Sequence, residues 1–109
     1  MEEVILKLIT YGGNARGKAI MALERLKDNN FEEAKKLLNE CSENIQIAHM
    51  AQTKLLQQES NGIESTVQLL MVHAQDHLMD AMVVRDIVEQ MIEIQKKNFD
   101  LICGEGVEK

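Results

Sequence analysis

The sequence predicts an all-α protein, folded as a single antiparallel three-helix bundle over residues 1–109. The first observation is that it contains no proline, a residue that costs about 3 kcal/mol in a helix interior. The second is a composition rich in helix formers such as Met, Leu, Ala, Gln, Glu and Lys, with one tyrosine and two phenylalanines as its aromatic residues. The third is that two short breaker segments, 28–30 and 60–62, separate three stretches of helical periodicity.

The first helix is predicted over residues 2–28. Its apolar residues are spaced mostly by three and four, as expected for the buried face of a helix; they are Ile5, Leu8, Ile9, Ala15, Ala19, Ala22, Leu23 and Leu26. Three glycines, Gly12, Gly13 and Gly17, interrupt this pattern. Glycine weakens a helix, and it also lets a neighbouring backbone approach closely because it has no side chain. Either effect, or both together, is expected here.

The second helix is predicted over residues 31–58. Asn30 is a typical N-cap residue, and Glu33 stands three residues later, as in a capping box. The apolar face of this helix consists of Phe31, Ala34, Leu38, Cys41, Ile45, Ala48, Leu55 and Leu56. Because Cys41 falls on this face, we interpret it as a small core residue rather than a reactive thiol. Gly62 is expected to end the turn that follows.

The third helix, predicted over residues 64–102, is apolar around most of its circumference between residues 67 and 92. One stripe consists of Val67, Leu70, Ala74, Ala81, Val84, Val88 and Met91, and other apolar residues surround it. Two partner helices cannot cover so wide a surface, since a helix with one buried side needs an apolar arc of only about 100°. We therefore predict an obligate homo-oligomer with this helix at its centre. The residues after it, 104–109, are expected to fray.

Four ionisable residues interrupt this most apolar helix: His73, Asp76, His77 and Asp80. At about 100° per residue they share a sector of about 100°, whereas Gln75 points to the far side of the helix. Histidines four residues apart can bind one metal ion, or can be hydrogen-bonded residues of an interface. The carboxylate of Asp76 is either exposed in a groove or, if the helices of several chains line an axis, neutralised there by a divalent cation.

The composition also excludes several function classes. The formal charge of −6 argues against a nucleic-acid binder and against a helix that lies on anionic lipid, because both need a basic face. The apolar runs are too short to span a membrane, and the opening Met-Glu-Glu lacks the basic and apolar regions of a secretory signal. Cys41 and Cys103 have no motif spacing, which is typical of a reducing compartment. We expect a cytoplasmic protein.

The run from Leu69 to Met79, Leu-Leu-Met-Val-His-Ala-Gln-Asp-His-Leu-Met, resembles the signature of a known family. Further elements of that family are matched in the first helix by Gly13-Asn14-Ala15-Arg16, and in the second by Ala48-His49, Gln52-Thr53 and Leu56. The family is the IIA component of the lactose/cellobiose-type, phosphoenolpyruvate-dependent sugar phosphotransferase system. The resemblance covers nearly the whole chain.

The resemblance implies a trimer of three-helix subunits, packed as a nine-helix bundle. It implies that His73 accepts a phosphoryl group from phosphohistidine on the carrier protein HPr and passes it to a cysteine of the IIB component. The group then reaches the sugar as the membrane component IIC carries that sugar inward. The resemblance places Asp76 of three subunits around a divalent cation, Mg²⁺, at the trimer axis, and His77 and Gln75 beside the phosphorylation site. Cellobiose or a related β-glucoside is favoured over lactose.

Two other functions are also compatible with these residues. A metal-binding helical oligomer would use His73 and His77 as ligands, although the sequence has no His-Glu-x-x-His or Glu-x-x-His motif. A purely structural coiled-coil adaptor would tolerate leucine in place of His73 and Asp76. Periodicity alone favours the adaptor, and the resemblance reverses that order.

Overall fold

The computed structural model describes residues 2–60 and 69–108, with side chains described over 3–58 and 69–104. It contains three helices: α1 (Glu2–Lys27), α2 (Phe31–Ser60) and α3 (Leu69–Glu108). The described ranges contain no β-strand, so the predicted all-α class is confirmed for them. Within the same ranges, no helix combines the length and the apolar character that crossing a membrane requires.

The turn between α1 and α2 follows the capping chemistry that the sequence predicts. Asn29 has a φ of 57°, the left-handed conformation that often ends a helix and that Asn tolerates better than most residues. Asn30 then caps α2, because its Oδ1 accepts a hydrogen bond from the backbone N–H of Glu33 at 3.3 Å. These contacts end α1 and begin α2 within three residues, so the two helices run antiparallel.

Two core clusters show how the helices are arranged. At one end, the start of α1 packs against the end of α2 and the start of α3; the buried residues there are Ile5, Leu8, Ala48, Ala51, Leu55, Met71, Ala74 and Leu78. At the other end, the later part of α1 packs against the start of α2 and the middle of α3; these are Ala15, Ala19, Ala22, Leu26, Ala34, Leu37, Leu38, Cys41, Ala81, Val88 and Ile92. Thus α1 and α3 run parallel, and α2 runs antiparallel to both. Leu56, predicted on the buried face of α2, is instead exposed.

The ends of all three helices differ from the prediction, and α1 ends at Lys27 rather than at 28. Helix α2 continues to Ser60 rather than 58, and α3 continues to Glu108 rather than 102. The backbone is helical through Gly104 to Glu108, and the expected fraying of the tail, residues 104–109, stays a prediction. Glycine costs only about 1 kcal/mol relative to alanine in a helix, and no proline removes a backbone hydrogen bond there. The predicted turn at Gly62, the predicted residues 64–68 of α3 and Lys109 lie outside the described residues.

Helix α3 has two apolar sides, and only one of them is covered by α1 and α2. The covered side contributes Met71, Ala74, Leu78, Ala81, Val88 and Ile92 to the core. The opposite side, called here the outer face of α3, carries seven exposed apolar residues: Leu69, Val72, Met79, Val83, Ile87, Ile94 and Leu101. The prediction that two partner helices cannot cover this helix is confirmed for the single chain.

Candidate functional site

His73 and His77 face each other one turn apart in the first half of α3. Their Nε2 atoms are 3.0 Å apart, and the two rings are perpendicular, with centroids 4.5 Å apart. A neutral imidazole has one N–H donor and one nitrogen lone pair. At this distance one Nε2–H donates to the lone pair of the other Nε2. The pair therefore places a nucleophilic nitrogen and a hydrogen-bond donor at the same point of the surface.

The two rings differ in exposure. His73 is exposed, whereas His77 is half-buried against α1. Gly12 of α1 makes this packing possible: a Cβ atom at that position would lie 3.2 Å from the backbone C and the Cβ of His77 and from the backbone N of Leu78. The α1 backbone thus supports α3 at the histidine pair, and the more exposed ring is accessible to a partner.

The three glycines of α1 therefore have different roles. A Cβ at Gly13 or Gly17 would meet no atom within 4 Å, so neither is needed for packing within the chain. The sequence left open whether these glycines weaken the helix or permit close approach. Helix α1 is continuous from Glu2 to Lys27, and the close approach occurs at Gly12 alone among these three. Periodicity could not single out Gly12, because that requires the orientation of α1 relative to α3.

Gln75 lies on a different side of α3 from the histidine pair. It is half-buried, and its Oε1 accepts a hydrogen bond from the Nε2 of Gln52 on α2 at 2.5 Å. Within one chain this bond directs Gln75 towards α2, away from His73. Sequence reasoning left Gln52, like the other glutamines, as either a surface residue or an interhelical contact; the structure shows that it joins α2 to the helix that carries the histidines. The only signal was that Gln52 belongs to the segment of helix two that carries the family resemblance.

Asp76 and Asp80 are both exposed, and Asp76 lies among the apolar residues of the outer face of α3. In the ranges that have described side chains, neither carboxylate forms an ion pair with a basic side chain. Among the described residues of one chain, no three His, Cys, Asp or Glu side chains are grouped closely enough to hold a metal ion. Carboxylate oxygens suit Mg²⁺, so Asp76 fits such an ion only if carboxylates of several chains meet.

The two cysteines are in contrasting environments. Cys41 is buried, and burial raises the pKa of its thiol to about 11. This confirms its interpretation as a core residue. Cys103 is exposed near the end of α3. Both cysteines are more than 20 residues from the histidine pair in the sequence. The pair supplies its nucleophilic nitrogen and its hydrogen-bond donor without either thiol.

Comparison with known proteins connects this geometry to one family. The profile of the family described as "PTS system, Lactose/Cellobiose specific IIA subunit" matches residues 3–96. The chain is 44% identical over 97 residues to the lichenan-specific phosphotransferase enzyme IIA component of Bacillus subtilis (strain 168), covering 89% of this chain and 88% of that protein.

Two solved structures resemble the fold. The crystal structure of the PTS cellobiose-specific enzyme IIA from Bacillus anthracis has a TM-score of 0.84 at 38% identity, covering 88% of both chains. The solution structure of the IIA(chitobiose)–HPr complex of the Escherichia coli phosphotransferase system has a TM-score of 0.76 at 36% identity, covering 88% of this chain and 93% of that one. The likeness therefore extends over most of each protein, including the helix with the histidine pair.

Proposed function

Because this chain belongs to the lactose/cellobiose-specific IIA family of the phosphotransferase system, we propose that it is a phosphoryl carrier and that His73 carries the group. The observation on which this rests most directly is the exposed ring of His73, whose Nε2 lies 3.0 Å from the Nε2 of His77. Imidazole suits the task, since it is largely neutral near pH 7 and can act as a nucleophile.

The transfer proceeds in two displacements at phosphorus. First, the Nε2 lone pair of His73 attacks the phosphoryl group on a histidine of HPr. A new N–P bond forms, and the old one breaks with its electron pair returning to the donor imidazole. A cysteine thiolate of the IIB component then attacks the same phosphorus, an S–P bond forms, and His73 recovers its lone pair. Such transfers depend mostly on positioning and charge stabilisation.

His77 positions the ring of His73 before the transfer and stabilises the charge of the phosphoryl group after it. Its Nε2–H first donates to the Nε2 of His73, which orients that ring. Once His73 is phosphorylated, the same N–H is free to donate to a phosphoryl oxygen, a charge-assisted bond that is stronger than the one it replaces. Gln75 supports the site indirectly, because its hydrogen bond to Gln52 ties α3 to α2. Asp76 and Asp80 oppose the added negative charge, and a cation at Asp76 reduces that opposition.

The working form is a homotrimer, a nine-helix bundle with α3 of each subunit at the centre. The support is the outer face of α3, where exposed apolar residues follow one another at helical spacing along the helix. Exposed apolar patches of this extent are typical of protein interfaces. Parallel packing of three such faces brings the three copies of Asp76 together, and a divalent cation, Mg²⁺, bound by their oxygens offsets the repulsion.

The partners are HPr as donor and the IIB component as acceptor, with IIC as the membrane component that carries the sugar. The complex of HPr with the chitobiose relative supports the first of these. A carrier between such partners works in the cytoplasm. The sugar is cellobiose or a related β-glucoside, in line with relatives named for lichenan and cellobiose; lactose is the alternative, since the family description names both sugars.

Phosphorylation from purified components tests this function. The chain is incubated with HPr, the first enzyme of the system and phosphoenolpyruvate, and the intact mass is recorded. We expect one phosphoryl group per chain, none on a His73→Gln variant, and full labelling of a His49→Gln variant, whose exposed histidine lies on α2. Labelling of the His73→Gln variant, or an unlabelled wild type, would show that the proposal is wrong. Discharge by IIB proteins of different sugar specificity then identifies the sugar.

A further inference from the structure

We propose that His73 and His77 together bind Zn²⁺ in the unphosphorylated protein, and that zinc and the phosphoryl group exclude each other at this site. The metal site rests on the geometry of the pair alone. The exclusion rests in addition on the proposed phosphorylation of His73.

The distance between the two nitrogens is close to that of a zinc chelate. Zinc binds imidazole nitrogen at about 2.0–2.1 Å, so two nitrogens on one tetrahedral ion lie about 3.3 Å apart. The two Nε2 atoms are 3.0 Å apart, so they must move apart by a few tenths of an ångström to bind the same ion. Because the ring of His73 is exposed, a small side-chain rotation provides it. The backbone and Cβ of His77 lie against α1 at Gly12, and its ring turns about its side-chain bonds so that its Nε2 also points at the ion.

The protonation states also allow the exchange. In the metal-free pair, one ring donates its Nε2–H to the lone pair of the other. Zinc takes the place of that hydrogen, and the donor ring changes tautomer so that its proton moves to Nδ1 through solvent. Both Nε2 lone pairs then coordinate the ion, and the pair loses no net proton. Binding therefore requires no other reactant.

The charges around the pair favour a cation. Asp76 and Asp80 each follow one of the histidines by three residues, which places them as neighbours on the helix surface. Between Lys54 and Lys96 the sequence has a single basic residue, Arg85, and its guanidinium is bonded to Asp86 and Ser42. Since no third ligand from the described residues of the same chain completes the site, water fills the remaining positions. Such a site is exchangeable rather than structural.

Exclusion follows from the identity of the donor atom. The Nε2 lone pair of His73 can bond to zinc or to phosphorus, but not to both. A phosphorylated chain therefore loses one of its two metal ligands, and a zinc-loaded chain has no free nucleophile. Zinc thus acts as a competitive block on phosphoryl acceptance by the site.

A competition titration tests the metal site. The full chain, stripped with a chelator, is titrated with Zn²⁺ against a chromophoric zinc indicator, in excess Mg²⁺ so that sites made only of oxygen are already occupied. We expect one zinc per chain for the wild type, binding weaker by about tenfold or more for His77→Ala because the second ligand no longer acts at high effective concentration, and unchanged binding for His49→Ala. Equal affinity of His77→Ala and wild type, or no binding by the wild type, overturns the proposal.

The same titration on the phosphorylated chain tests the exclusion. Zinc binding is expected to weaken by about as much as in His77→Ala, since one imidazole ligand is lost in either case. Unchanged binding after phosphorylation refutes the exclusion. A chain that binds zinc through both histidines but accepts no phosphoryl group from HPr refutes the proposed function and leaves the metal site standing. A chain that is phosphorylated but binds no zinc refutes the metal site and leaves the proposed function standing.

Discussion

Replacing Gly12 by alanine directly perturbs the contact that supports the histidine pair. The added Cβ would lie 3.2 Å from two atoms of His77 and from the backbone N of Leu78, closer than an ordinary contact. Two of these three are backbone atoms and the third is a Cβ, so no side chain can rotate away. Helix α3 must therefore move away from α1 by a few tenths of an ångström along this segment.

The magnitude follows from two opposing terms. Overpacking a close contact costs about 1–3 kcal/mol, whereas glycine to alanine in a helix interior gains about 1 kcal/mol. Gly17→Ala on the same helix isolates the second term, because a Cβ there meets no atom within 4 Å. Gly12→Ala should therefore be less stable than Gly17→Ala by about 1–3 kcal/mol, in urea unfolding at one fixed protein concentration. It should also accept phosphoryl groups from HPr more slowly, since His77 is displaced.

Two outcomes of comparing Gly12→Ala with Gly17→Ala would show that Gly12 does not position the histidine pair. If Gly12→Ala is as stable as Gly17→Ala, the close approach of α1 and α3 costs nothing to disturb, and Gly12 does not position the site. If stability falls but the rate of phosphoryl acceptance equals that of Gly17→Ala, the contact supports the fold and not the histidine pair.

Two further predictions concern the outer face of α3 and the cysteines. Replacing Asp76 by leucine should leave the proposed trimer intact or strengthen it. Three copies of Asp76 at its axis would form a buried charge cluster, and exchanging such a cluster for apolar side chains is commonly neutral or stabilising by about 1–4 kcal/mol. Sedimentation on dilution measures this, and a variant that dissociates contradicts an axial position. At pH 8 a thiol reagent should modify Cys103 quickly and Cys41 only after unfolding, because burial raises the pKa of Cys41 to about 11 and leaves very little thiolate. The reactivity of Cys41 should rise with pH towards that value, and two fast equivalents at pH 8 would show that Cys41 is not buried.

Local chemistry explains which parts of the fold were predictable. The cap at Asn30 and the starts of the first two helices depend on residues next to each other in the sequence, and the structure has them as predicted. The pairing of His73 with His77 follows from a spacing of four in a helix, and the rings do meet. The end of α3 was misjudged, because two glycines weaken a helix without ending it.

Other parts depend on how the helices face each other, which periodicity does not determine. All three glycines of α1 look alike in the sequence, yet only Gly12 lies against α3 at the histidine pair. The hydrogen bond between Gln52 and Gln75 joins residues 23 positions apart, and nothing local distinguishes it from a surface glutamine. Both features fix how the helix that carries the histidines packs against its neighbours, so the support of the site was less predictable than its reactive residues.

The rotation of α3 about its axis links the two proposed properties of the protein. At about 100° per residue, His73 lies between the buried side of α3, which includes Leu78, and the outer face, which includes Val83. A rotation by one residue would bury His73 against α1 or place it in the centre of the outer face, where the other subunits of the proposed trimer would cover it. The contact at Gly12 helps to set this rotation, together with buried residues of α3 such as Ala74 and Leu78. The same contacts therefore keep the imidazole accessible and present the apolar outer face to the other subunits of the proposed trimer.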